Sequence, residues 1–269
     1  VIEQTEVENI PFTRYSKSAT FTFLETAVSF AYGSHGVTMN LFDHCGTPME
    51  EEPEFGRILA GKKDFLNGLA RLAQQPGVFR GVRLLHNEKS ALTKRLPPGA
   101  PYPALAPAAF PTMHMLESHG IPTTHDPSPV AATSSQMLRA FSDAEIEKLL
   151  AGGLLLDAVA AGVLVERGYG EQIGIAAIEP PKHLDALGAF AAEEFFNPSF
   201  GGCDRKYLTL TIPSLGGRPH FSVIRPAGGA EIVSRIVDAD THRRYACMTA
   251  FENKLGGRVA ASAFDLASA

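Results

Sequence analysis

The sequence predicts an α/β protein: a parallel strand pair with its helices, a second parallel α/β sheet, and a closing antiparallel β segment. Two observations carry that prediction. Over the first 178 residues, short apolar or alternating runs take turns with stretches of 3.6-residue apolar periodicity, the pattern of strands joined by crossover helices. Beyond residue 179 the helical periodicity stops, and short strands separated by Gly and Pro turns follow. The chain has 269 residues, more than the roughly 100–150 typical of one domain. The segments 1–80, 81–178 and 179–269 are therefore expected as three units.

In the first segment, Val1 to Asn9 is a strand candidate closed by Pro11. A helix is expected from about Ser18 to Tyr32, with Phe21, Leu24, Ala27, Val28 and Ala31 on its apolar face and Gly33 as its stop. Val37 to Phe42 is a second strand, followed by an acidic loop and a helix from Phe55 to Gln74. Joining two strands through a helix favours parallel pairing. In the second segment, strands are expected at Val82–His86, Ile121–Thr124, Val130–Thr133, Leu154–Leu156 and Ile173–Ala177. Helices fit Ala108–His119, Ser142–Ala151 and Asp157–Gly168. Ser142 and Glu145 have the spacing of a capping box, Asp157 can cap the next helix, and Gly168 can end it. The third segment offers strands at Tyr207–Ile212, His220–Ile224, Glu231–Val237, Ala246–Phe251 and Arg258–Phe264.

Composition excludes several classes of function. The net charge is −5 with no basic cluster, which argues against nucleic-acid binding. The most apolar stretch, Leu149 to Val165, is broken by Gly152, Gly153, Asp157 and Gly162, so a membrane span is not expected. Cys45, Cys203 and Cys247 form neither a disulfide framework nor a zinc spacing, which favours a reducing, cytoplasmic setting. No signal peptide is visible. No cofactor or metal is expected.

The chemistry-bearing candidates begin with Glu3, Glu6 and Glu8. Residues two apart on a strand share a face, so Glu6 and Glu8 point the same way. Such carboxylates are either solvated ends of an edge strand or, at the C-terminal end of a barrel strand, nucleophile or proton donor. Asp43-His44-Cys45 invites a metal or thiol reading, but consecutive side chains on a strand diverge and no further ligand pair accompanies them. Gly168-Tyr-Gly170-Glu-Gln-Ile-Gly174 looks like a dinucleotide fingerprint, yet it follows a helix where that motif follows a strand, so it is a helix stop and turn.

The run Thr5 to Ser18 (TEVENIPFTRYSKS), its following helix, and Gly36 to Asp43 (GVTMNLFD) together resemble the last two strand–helix units of a (β/α)₈ barrel in the β-galactosidases of glycoside hydrolase family 42. Gly152 to Asp157 (GGLLLD) and Val163 to Gly170 (VLVERGYG) resemble the flavodoxin-like, glutamine-amidotransferase-like domain of those enzymes, and Glu252 to Arg258 (ENKLGGR) resembles their terminal β-domain. The resemblance implies a retaining glycosidase acting on β-linked sugars. Glu6 is its first choice of nucleophile, with Glu8 and then Glu3 as rivals. Arg14, Tyr15, Asn40 and Asp43 are implied to contact the sugar. It further implies that the proton-donating carboxylate lies upstream, so that these residues alone are inactive, and that the chain forms a homo-oligomer, a trimer in that family. No cysteine falls within 81–178, so the amidotransferase reaction itself is excluded. The chain also lacks tryptophan, which commonly lines sugar subsites. The alternative is a non-catalytic assembly or carbohydrate-binding module in which the glutamates are merely polar.

Overall fold

A computed structural model describes residues 2–9, 16–74, 80–106, 110–179, 182–183, 191–200, 206–209, 220–238 and 242–265. The chain divides into two compact units, Val1–Phe79 and Arg80–Ala269.

The first unit runs β1 (Gln4–Glu8), α1 (Ala19–Ala31), β2 (Gly36–Asn40), α2 (Pro53–Gly61) and α3 (Lys63–Ala73). The two strands pair in parallel, with Glu6 opposite Thr38 and Glu8 opposite Asn40. One face of this pair is apolar: Val7 packs with Leu41 and Phe55, flanked by Val37, Met39 and Leu59. By the two-residue period, the opposite face carries Gln4, Glu6, Glu8, Thr38 and Asn40. Ser18 caps α1 by accepting a hydrogen bond from the Phe21 amide, 3.2 Å. The single helix expected over Phe55–Gln74 is two helices, because Lys62 leaves helical geometry and serves as the cap of both.

The face of α1 is not the one its apolar pattern predicts. The buried positions are Thr22, Thr26 and Ser29, whereas Phe21, Leu24 and Val28 point outward. The buried hydroxyls explain how this is tolerated. Thr26 and Ser29 donate back to the carbonyls of Thr22 and Glu25 on the preceding turn, and Thr22 donates to Asn9. With their donors satisfied within the helix or by Asn9, these small side chains let α1 approach the sheet closely.

The second unit opens with β3 (Val82–Leu84), α4 (Ser90–Thr93), α5 (Phe110–Ser118), β4 (Thr123–Thr124), β5 (Val130–Thr133), α6 (Asp143–Leu150), β6 (Gly153–Leu156), α7 (Ala158–Glu166), α8 (Gly170–Ile173) and β7 (Ile175–Ile178). Then follow β8 (Lys182–His183), β9 (Ala191–Phe195), β10 (Lys206–Thr209), β11 (His220–Phe221), β12 (Ile224–Pro226), β13 (Glu231–Asp238), β14 (Arg244–Glu252) and β15 (Arg258–Ser262). The capping box forms, with Ser142 and Glu145 each bonding the other's backbone N–H. Asp157 caps α7 through the Ala160 amide at 2.8 Å, and Gly168, at φ 88°, ends it.

The terminal strands, expected as a β-domain of their own, instead continue the parallel sheet. The last strand, β15, lies parallel to β6 on one side and antiparallel to β14 on the other. Among the described residues the main order is β10-β9-β13-β14-β15-β6-β5-β3-β4, so one mixed sheet spans both expected segments. Helices α6 and α7 bury Ile146, Leu150, Ala160 and Leu164 with Leu154, Leu156, Val259 and Ala261 of the sheet. On the other face, Leu116 of α5 packs on Leu84 and Ala132. The turn between β14 and β15 is held by Asn253, whose amide donates to the carbonyls of Leu150 (2.8 Å) and Gln172 (3.1 Å) and accepts from the Leu255 and Gly257 amides. At Gly257 a Cβ would sit 1.9 Å from the Leu150 carbonyl oxygen, so only glycine fits there.

Candidate functional site

The expected site residues fall on the open face of the first unit. Glu8 stands at the C-terminal end of β1, in register with Asn40 at the end of β2. Adjacent strands lie about 4.8 Å apart, so these two side chains are neighbours on one face. Glu6 is one pleat back beside Thr38 on the same face. Glu8 and Asn40 are half-buried, and Glu6 is exposed. Glu3 does not join them: it precedes β1 at the opposite end, where its carbonyl accepts the His35 amide at 2.8 Å. Arg14 and Tyr15 lie outside the described residues.

The strand ends are braced from behind. Asn9 is buried; its backbone amide donates to the Asn40 carbonyl (3.1 Å) and its side chain to the Leu41 carbonyl (2.9 Å), which fixes the two strand ends to each other. The Lys17 ammonium donates to the Glu8 carbonyl and pairs with Glu25 of α1 at 2.8 Å. A largely buried ammonium thus lies beside the Glu8 backbone, engaged by a carboxylate of the following helix. The sequence flagged neither Lys17 nor Asn9, since the eight residues from Lys17 to Glu25 and the buried amide match no local motif.

Asp43 serves its own loop. Its carboxylate accepts the amides of Cys45 at 2.8 Å and Thr47 at 3.4 Å. The Thr47 side-chain hydrogen bond, followed by the Cys45 amide, holds the Asp43 carboxyl below the usual range. His44 approaches Asn40, with Nε2 3.2 Å from Oδ1, and Cys45 is exposed. The triplet therefore orders a loop beside Asn40. Among the described residues, no three His, Cys, Asp or Glu side chains gather as a metal site.

In the second unit, Cys247 is fully buried on β14 beside Glu193 and Ser234, and Ser234 donates to Glu193. Burial, reinforced by the Glu193 charge, pushes the Cys247 thiol well above its ordinary range, the opposite of what a nucleophile needs. A groove of about 890 Å³ lies over the small side chains Gly153, Ala250 and Ala260, rimmed by Glu231, Glu252 and Arg258. Arg258 and Glu252 pair at 3.2 Å, and the groove includes none of the expected site residues. The Gly168–Gly174 run is a helix stop, one short helix and a left-handed Gly174.

The fold is similar to that of a solved glycoside hydrolase. Superposition on the alpha-L-fucosidase isoenzyme 2 from Paenibacillus thiaminolyticus gives a TM-score of 0.58 at 13% identity, covering 98% of this chain and 41% of the fucosidase. This chain thus spans less than half the length of that enzyme. No family model matches the sequence, and no curated protein matches it. At that identity the likeness is one of fold alone, and it does not single out family 42. Among the described residues no helix is long and apolar enough to cross a membrane.

Proposed function

We propose that this chain is the C-terminal part of a retaining glycoside hydrolase, with Glu8 as nucleophile and Asn40 as a contact to the sugar held beside it. The observation that carries the reading is the parallel pair β1–β2, with its apolar face under helices and its polar face presenting Glu8 and Asn40 side by side at the C-terminal strand ends. Catalytic groups of (β/α)₈ enzymes sit at that end of the strands. Glu6, the first choice implied by the family resemblance, lies one pleat back from the strand end and is the second choice.

A retaining enzyme needs two carboxyl groups about 5–5.5 Å apart on either side of the scissile bond. Glu6 and Glu8 stand side by side on one strand and point the same way, so they do not flank a substrate. The proton donor therefore comes from polypeptide outside these residues, and the 269 residues alone are expected to be inactive. In the full site, Glu8 attacks the anomeric carbon while the donor protonates the leaving oxygen, and water then releases the sugar from Glu8. The second unit, whose one described cysteine, Cys247, is buried with its thiol pushed up, serves assembly, for which a homo-oligomer is expected.

The test is hydrolysis of nitrophenyl glycosides, β-D-galactoside and α-L-fucoside among them, by the protein carrying its upstream sequence. Glu8→Gln is expected to lower kcat at least about a thousandfold with the fold intact, and azide is expected to restore turnover of Glu8→Ala as a glycosyl azide. Wild-type rates in Glu8→Gln with loss in Glu6→Gln would move the nucleophile to Glu6. Inertness on every sugar would leave the assembly-module reading in its place.

A further inference from the structure

The outward stripe of α1 belongs to no core within the first unit. Phe21, Leu24, Val28 and Tyr32 are 52%, 50%, 54% and 57% exposed, and their spacing of three, four and four residues sets them in one row along the helix. An apolar row of this kind on one helix is what a packed helix neighbour normally covers. The other flank of α1 is occupied: Phe23 meets Phe65 of α3 with ring centroids 5.9 Å apart.

Topology shows on which side the row lies. The helices α2 and α3 follow β2 and pack against α1. The free side of α1 is therefore the side of β1. There, among the described residues, the outer edge of β1 has no strand partner, since its one pairing is to β2. An unpaired strand edge and an exposed apolar helix row thus run along the same border, the two surfaces that one further strand–helix unit would cover together.

We infer that this border is an interaction surface for a strand–helix unit of the same polypeptide, upstream of Val1. Its strand lies parallel to the outer edge of β1, and its amphipathic helix covers Phe21, Leu24, Val28 and Tyr32. A unit from the same polypeptide is favoured over a separate protein because more than half of the fucosidase of similar fold has no counterpart in this chain. The inference deepens the barrel reading above but does not depend on any catalytic residue.

The experiment places a thiol on the stripe. Val28→Cys is made in the 269-residue chain and in the protein carrying its upstream sequence. Maleimide labelling of position 28 is followed by peptide mass spectrometry, with the exposed Cys45 as internal reference. In the shorter chain, position 28 is expected to react within a few-fold of Cys45; in the longer protein its relative rate is expected to fall at least about a hundredfold. Leu24→Glu is expected to leave the melting temperature of the shorter chain within a degree or two and to lower that of the longer protein by several degrees. Equal labelling in both proteins overturns the inference. So does protection already present in the shorter chain, whether through its own residues or, if dilution abolishes it, through a second copy. A gene with no reading frame upstream of Val1 overturns it as well. Protection without glycoside hydrolysis leaves the docking surface standing and rejects the glycosidase reading; hydrolysis without protection does the reverse.

Discussion

Replacing Asn253 by alanine is expected to loosen the seam of the large sheet. The Asn253 side chain makes four hydrogen bonds, two donated to the carbonyls of Leu150 and Gln172 and two accepted from the amides of Leu255 and Gly257. Each such bond contributes about 1 kcal/mol net, and a buried group left without a partner costs about 1–3 kcal/mol. The Leu255 residue is exposed, so its amide regains water after truncation, whereas Gly257 is buried. The expected loss is therefore about 2–4 kcal/mol, a large part of a typical stability of about 5–15 kcal/mol. Asn253→Asp keeps the acceptors but sets a carboxylate against two carbonyl oxygens, and should be no more stable than the alanine variant. The chain has no tryptophan, so unfolding in urea is best followed by far-ultraviolet circular dichroism, with hydrogen exchange isolating the second unit. A loss below about 1 kcal/mol, or exchange in β15 unchanged from wild type, would refute the claim that this amide holds the turn.

Two further outcomes follow from the same kind of bookkeeping. The Asp43 carboxyl is held below its unfolded value, so its contribution to the loop is present above the ordinary carboxylate range and is lost as pH falls through the lowered folded value. Exchange of the Cys45 and Thr47 amides should therefore accelerate in acid beyond the intrinsic pH effect, and Asp43→Asn should remove that dependence; identical profiles would refute it. Asp157 is buried, caps α7 and receives the Ser135 amide at 2.9 Å, where Ser135 holds a left-handed φ of 58°. Asp157→Ala should cost about 2–3 kcal/mol by denaturation, from the lost cap and the charge-assisted bond together, and a change under about 0.5 kcal/mol would contradict that role.

Local chemistry was legible in the sequence where one residue decides the outcome. The Ser142–Glu145 box, the Asp157 cap and the Gly168 stop all form as their side chains dictate. What failed depended on long-range context. The apolar row of α1 predicts its buried face correctly only if the sheet is its one neighbour, and here hydroxyls face the sheet instead. Strand β9, Ala-Ala-Glu-Glu-Phe, shows no alternation; it is a strand because β13 and β10 pair with it on both sides, which buries Glu193 and Glu194. The membership of β15 in the parallel sheet had no local signal, since its partner β6 is about a hundred residues away in sequence. At the candidate site, the pairing of Glu8 with Asn40 follows from two-residue periodicity plus register, and register is a tertiary fact that the sequence did not contain.

The position of β15 also sets the order of events during synthesis. The parallel strands emerge early and the antiparallel ones later, and the strand that joins them, β15, is made only after both β6 and β14. Until it arrives, β6 and β14 each present a bare edge over a partly assembled core. Closing such a long loop is slow, and unpaired edges are prone to pair with the wrong chain. Nascent chains of this protein should therefore depend on chaperone shielding until β15 has emerged. A deletion of β15, Arg258–Ser262, should behave as an aggregation mutant rather than as a mild change.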